Sequence, residues 1–176
     1  VIGNGQFSHL ANHHATVAFA NAVYRADAEV AVGAVPRVLF TEPELAQVGQ
    51  TEAEAGNGAR VLRWRYDQND RAIAERTPWG MIKVIVNMDG RIRGAGIVGP
   101  HAGEVIQKWG LAISAGLDIG TVAAAVAPYP TIGYSDRKLA ELFEGPTVIT
   151  RGERRVSASR RKDVVTAENK QQGRQP

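Results

Sequence analysis

The sequence contains no cysteine. A structural disulfide, a thiolate metal centre and a thiol nucleophile are therefore excluded within these 176 residues. No apolar run approaches the roughly 20 residues that cross a bilayer. No secretory leader pattern is visible at the start, so the expectation is a soluble, cytoplasmic protein without membrane contact. Internal repeats are lacking as well. The basic segment at the end, Thr147–Pro176, has no aromatic side chain, which removes the stacking platform of a single-strand binder and argues against a nucleic-acid partner.

What is present suits one globular domain of about 100–150 residues with something added: 44% of residues are hydrophobic and 22% charged. The net charge of +3 is unevenly placed. Thr147–Pro176 carries eight Lys/Arg against three acids, so the +3 divides into +5 there and −2 in the body. The basicity is a property of the tail, and residues 147–176 read as a basic, disordered extension.

The chain is organised around Val122–Phe143, VAAAVAPYPTIGYSDRKLAELF. An Ala-rich helical run stops at Pro128, and a second helix starts near Ser135, a good N-cap. Pro128 and Pro130 each fix φ and push the preceding residue toward extended geometry, so Tyr129 sits in a stiff elbow. Such an aromatic is either a packing wedge or a group delivered to a site. Gly145 and Pro146 are expected to close the last helix.

Upstream, Phe7–Tyr24 has helical spacing in Leu10, Val17 and Tyr24, with Ser8 placed to cap it. His9 and His13 are i,i+4 neighbours, but the pattern has no third ligand and is read as structural, so no metal is expected. The helix start offers free N–H groups and a positive dipole end. Pro36–Thr41 and the following EPELAQVGQ read as strand, with Pro43 at a bulge or strand end. Thr51–Glu54 is a capping box. Ala59–Tyr66 alternates apolar and basic residues, with Arg63 and Arg65 on a solvated face. Gly80–Asn87 and Arg91–Val98 flank a Gly-containing hairpin loop at 88–90. Glu104–Ala115 is amphipathic, with Val105, Ile106, Trp109, Ala112 and Ile113 on one face. His101 and Glu104 read as a local capping pair, and Asp118 as the cap of the next helix. The fold class expected is α+β: an antiparallel sheet with helices packed on it.

Four stretches together resemble the flavin-dependent pyridine nucleotide–disulfide oxidoreductases, which include dihydrolipoamide dehydrogenases, glutathione reductases and mercuric reductases. QFSHLANHHA resembles the segment that ends the family's flavin domain. PRVLFTEPELAQVGQTEAEA matches the family pattern P-x-V-x-[FY]-T-x-P-E-x-A-x-V-G-x-[ST]-E at nearly every position. Asn69–Ala72 resembles N-x-R-A, and Tyr129–Tyr134 resembles H-P-T-x-x-E. The resemblance runs from about residue 6 to about residue 143. It implies the C-terminal end of an FAD domain in 1–30, the dimerisation domain in 31–146 and an added tail in 147–176. It also implies a homodimer, FAD held in part by Phe7, Ser8, His9 and Ala11, and NAD(P) held only by a domain lying elsewhere. In the family the elbow crosses a two-fold axis and sets a His–Glu pair beside the partner's disulfide. Tyr129 stands at the His position and Tyr134 at the Glu position, the two implied catalytic positions. A phenol with pKa near 10 is a poor base at pH 7. Mercuric reductases resemble this chain in that Tyr but end in a Cys pair that it lacks. The family's GxGxxG fold and redox Cys-x4-Cys are missing, since Gly3-Asn4-Gly5 follows no strand. The chain is therefore expected to be a fragment, inactive alone; the rival reading is a non-catalytic homodimerisation module with a basic interaction tail.

Overall fold

The computed structural model describes residues 5–30, 33–144, 147–148 and 156–157. Helix α1 (Ser8–Tyr24) comes first. Five strands follow: β1 (Arg37–Leu39), β2 (Glu44–Gly49), β3 (Ala59–Arg65), β4 (Met81–Asn87) and β5 (Ile92–Gly99). Their order in the sheet is β1-β2-β5-β4-β3, and every pairing is antiparallel. Short helices α2 (Glu52–Ala55) and α3 (Asp70–Ala74) interrupt the strands, and α4 (Ala102–Ser114), α5 (Ile119–Ala124) and α6 (Tyr134–Glu144) come after them.

Alternation along the strands assigns the two faces of the sheet. Ala46, Val48, Leu62, Ile82, Val84, Val86, Ala95 and Ile97 are buried and form one core with Ile106, Trp109, Ile119 and Leu139 of the helices. The α+β architecture expected from the sequence is thus the one observed. On the opposite face Leu45, Gln47, Met81, Lys83, Ile85 and Val98 line an open groove of about 330 Å³. Two glycines in β5 are required by close approach. A Cβ on Gly94 would lie 1.9 Å from the Gln50 carbonyl oxygen. Gly99, at φ +143°, leaves room for the Tyr66 ring, which a Cβ would meet at 2.6 Å.

Local signals were read correctly in several places. Thr51 and Glu54 make the reciprocal capping box, and the Asp118 carboxylate accepts from the Thr121 N–H at the start of α5. Arg63 pairs with Glu52 and Arg65 with Asp67 on exposed surface. Other expectations need correction. The first strand is only Arg37–Leu39, since the chain turns at Glu42–Pro43, a cis peptide. Ser8 does not cap α1: Phe7 occupies the N-cap position and no side chain accepts there. His101, in the left-handed region at φ 57°, makes no side-chain cap on α4. That helix start is instead satisfied from the sheet, where the Glu44 carboxylate accepts from Gly103 N–H at 2.9 Å. The Glu104 carboxylate accepts from Gln107 Nε2. Within 147–176 the described residues are two short strands, β6 (Thr147–Val148) and β7 (Val156–Ser157), paired antiparallel. The remainder of the disordered-tail expectation, and the stop at Gly145 and Pro146, lie outside the described residues.

Tyr66 is fully buried, and its hydroxyl has no hydrogen-bond partner among the described residues. Burial, with the Asp136 charge adding to it, pushes its phenol well above the usual tyrosine range. A raised folded value means stability that is fully present below the unfolded value of about 10 and lost as pH rises through the folded one. Tyr66→Phe strands no polar atom, so it is expected to be neutral or slightly stabilising at pH 7. It is also expected to flatten the loss of stability above about pH 10. Chemical denaturation at the two pH values measures both effects.

Candidate functional site

The Pro-rich elbow lies between α5 and α6, and side chains from two other elements hold it. Asn69 is 3% exposed at the N-cap of α3. Its Oδ1 accepts from the Ala72 N–H at 3.0 Å and so caps its own helix. Its Nδ2 donates to the Thr131 carbonyl at 3.0 Å, the Ile132 carbonyl at 3.3 Å and Ser135 Oγ at 2.7 Å. Ser135 is therefore not the helix cap that its type suggests. It is buried inside the first turn of α6, which begins at Tyr134, and its hydroxyl accepts from Asn69.

A second clamp comes from α4. Asp136 is 1% exposed. Lys108 Nζ donates to its Oδ2 at 2.5 Å and to the Gly133 carbonyl at 3.3 Å, while Trp109 Nε1 donates to Oδ1 at 2.9 Å. Burial pushes the Asp136 carboxyl upward, and Lys108 and Trp109 oppose it. A charge taken out of water persists only with such partners. Thr131 Oγ1 donates back to the Pro128 carbonyl at 2.9 Å and tightens the turn.

Between these fixed points the ring of Tyr129 stands out, 62% exposed, preceding a cis bond to Pro130. Its hydroxyl donates to Asp70 Oδ2 at 2.6 Å. That hydrogen bond, and the carboxylate charge behind it, raise the phenol above its ordinary range. Tyr134 meets the ring edge-on, with centroids 5.3 Å apart at 73°, and Lys138 Nζ lies 5.6 Å from the Tyr134 centroid. Alongside runs an open groove of about 380 Å³ lined by Arg71, Glu75, His101, Val105 and Thr131. Tyr129 and Tyr134 are thus brought together. Asn69, Asp70, Lys108, Trp109 and Asp136 were missed as a set from the sequence; only the first two fell inside a motif.

The other expected positions are separate. Phe7 stacks on His9 with centroids 5.3 Å apart, and His9 Nε2 donates to the Pro36 carbonyl at 2.8 Å. The N–H groups of Ser8, His9 and Leu10 begin α1 without a side-chain cap, whereas Ala11 N–H is taken by the Phe7 carbonyl. Only Leu10 of α1 is buried. Among the described residues no group of three His, Asp or Glu side chains is arranged to hold a metal. No described helix is long and apolar enough to cross a membrane.

A five-stranded antiparallel sheet backed by helices, with a clamped elbow pointing outward, defines a subunit-interface domain. Residues 35–137 match the pyridine nucleotide-disulphide oxidoreductase dimerisation domain, and the chain belongs to that family. It is 37% identical over 147 residues to dihydrolipoyl dehydrogenase from Staphylococcus aureus, covering 81% of this chain and 31% of that protein. The dihydrolipoyl dehydrogenase of Geobacillus stearothermophilus is 32% identical over 152 residues, covering 84% and 32%. This chain therefore spans about a third of the length of the curated relatives that it matches. Among solved structures, LpdA from Mycobacterium tuberculosis superposes with a TM-score of 0.74 at 24% identity, over 80% of this chain and 31% of that one. The HOCl-induced flavoprotein disulfide reductase RclA from Escherichia coli gives 0.72 at 22%, over 80% and 33%. These last two show the shared fold.

Proposed function

We propose that this chain is the dimerisation part of a cytoplasmic, FAD-dependent NAD(P)H oxidoreductase, and that it works as a homodimer in which Tyr129 is presented to the partner subunit's reaction centre. The observation that carries the reading is the exposed Tyr129 ring on an elbow whose neighbours Ile132, Ser135 and Asp136 are buried. A wedge for its own core would be covered. Exposed apolar side chains elsewhere support pairing with a second copy: Val126 is 95% exposed, and Phe40, lying over the start of α4, is 82% exposed. An interface built on such surface is favoured by roughly 25 cal/mol per Å² before association costs.

The cofactor assignment is part of the same proposal. The uncapped first turn of α1 fits a carbonyl or anionic acceptor of FAD, with Ser8 and His9 offering N–H groups, Phe7 an apolar flank and Ala11 a small side chain. When bound, the flavin supplies two-electron redox chemistry. The NAD(P) site is assigned to a domain of the longer enzyme lying outside this chain. Residues 1–30 are read as the end of the FAD domain, 31–146 as the dimerisation domain and 147–176 as an added tail. The support for the first boundary is that α1 buries a single residue, Leu10.

In this reading Tyr129 contributes hydrogen bonding and position and does not act as a base, because its phenol stays neutral at pH 7. The test is Tyr129→Phe in the longer flavoenzyme. Turnover is expected to fall by roughly tenfold or more while flavin content is unchanged. Equal loss of both would mark Tyr129 as a packing residue.

A further inference from the structure

We propose that Asp70 is the positioning residue for Tyr129: its carboxylate accepts the phenol O–H, so that the elbow offers the partner's centre an acceptor oxygen in place of a donor. The inference rests on the reading that Tyr129 faces a partner subunit, and it adds the chemistry of what Tyr129 meets there.

The geometry fixes the direction of the bond. An ionised carboxylate has acceptors only, so at 2.6 Å the phenol must be the donor. That length falls in the range of charge-assisted O–H···O⁻ bonds. With its one proton directed at Asp70, Tyr129 Oη retains only its lone pairs for anything else. The ring plane is set independently, by the edge-on Tyr134 ring and by the Asn69 amide gripping the Thr131 and Ile132 carbonyls. Asn69 and Asp70 are consecutive. One dipeptide at the start of α3 therefore fixes both the path of the elbow and the hydrogen-bonding sense of its tip.

The surrounding charges leave Asp70 in control. Arg71, next to it on α3, is taken by Glu75, and Lys138 on α6 is taken by Glu141. Tyr134 is a further titratable group against the ring. The raised phenol value agrees with the geometry, and its largest cause is the hydrogen bond to Asp70. The consequence is a specificity. The group that approaches Tyr129 must be a hydrogen-bond donor, an N–H, O–H or S–H, neutral or cationic. An anion there would face a lone pair with a carboxylate behind it.

The test uses the 176-residue chain with tyrosine labelled at ¹³Cζ, titrated by NMR, with the Tyr129 signal assigned by its loss in Tyr129→Phe. In the parent chain the Tyr129 midpoint is expected to lie above the ordinary tyrosine value of about 10. Asp70→Asn keeps an amide oxygen as acceptor and removes the charge, and it is expected to lower the Tyr129 midpoint part of the way toward the ordinary tyrosine value of about 10. Asp70→Ser is the second removal, and Tyr134→Phe is expected to leave most of the difference in place. An unchanged Tyr129 midpoint in both Asp70 variants would overturn the assignment. In the longer enzyme, Asp70→Ser, which takes the acceptor away, is expected to lower kcat about as much as Tyr129→Phe, with the double variant no lower. Independent, multiplying losses would also overturn it. Failure of the subunit reading is seen separately, as a chain that sediments as a monomer at all concentrations while the NMR difference persists.

Discussion

Lys108→Met is expected to destabilise the domain by about 2–4 kcal/mol at pH 7, because it leaves the Asp136 carboxylate buried without its cation. Lys108 itself is half-exposed, 49% for its side chain against 1% for Asp136, so the loss falls on the aspartate. The pH dependence carries the diagnosis. Burial already pushes the Asp136 carboxyl upward in the parent, and Lys108 is the main opposing influence. Removing it raises the folded value further. A carboxyl with a raised folded value favours the folded state below its unfolded value of about 3.9, and that stability is lost as pH rises through the folded value. The difference between Lys108→Met and the parent should therefore be smaller at pH 5 than at pH 7. Adding Asp136→Asn should recover most of it, since an amide oxygen still accepts from Trp109 and carries no charge. Urea denaturation of parent, single and double variants at both pH values gives the comparison. An equal penalty at pH 5 and pH 7 would mean that Lys108 acts through packing alone.

Asn69→Ala is expected to cost about 3 kcal/mol, the sum of a lost helix cap of about 1 kcal/mol and buried hydrogen bonds of about 1 kcal/mol each. The substitution also removes the Asn69 donor from the buried Ser135 hydroxyl, while the Ile132 carbonyl keeps the Ser135 N–H. Asn69→Ser separates the contributions. A serine restores an acceptor at the N-cap but is too short to reach the elbow, so it should regain about 1 kcal/mol and leave residues 131–135 loose. Amide hydrogen exchange of Ile132 to Asp136 should then be fast in both variants, while α3 is protected only in the serine variant. Uniform exchange across both regions would indicate that Asn69 supports the domain globally.

The fold was legible wherever the signal was local and periodic. Alternation announced β3, the Gly-containing hairpin loop announced β4 and β5, the capping box announced α2, and Asp118 announced α5. The apolar stripe of Glu104–Ala115 predicted the buried face on Ile106, Trp109 and Ala112. The errors share one cause. At Ser8, Ser135 and His101 the sequence offered a residue of the right type for a cap, and short-range reasoning took it. In the structure Ser135 answers a donor 66 positions earlier in the chain, and the start of α4 is closed by Glu44 from the sheet. The same limit applied to the site. Tyr129 and Tyr134 were visible through the elbow motif, whereas nothing local singled out the side chains of Asp70 and Asp136. Nothing in a one-dimensional pattern separates an aspartate on a solvated helix from one sealed against a tryptophan. Pairing over such separations is created by the tertiary fold, which brings the start of α3 and the middle of α4 to the start of α6.

The grip of Asn69, Lys108 and Trp109 on residues 131–136 also orders events during synthesis. Those three side chains emerge from the ribosome before their partners do, and until the segment after Pro128 follows, Lys108 has no aspartate and the core has no Leu139. The face of the sheet that α6 covers therefore stays open until α6 is made, so consolidation of the described core waits for that helix.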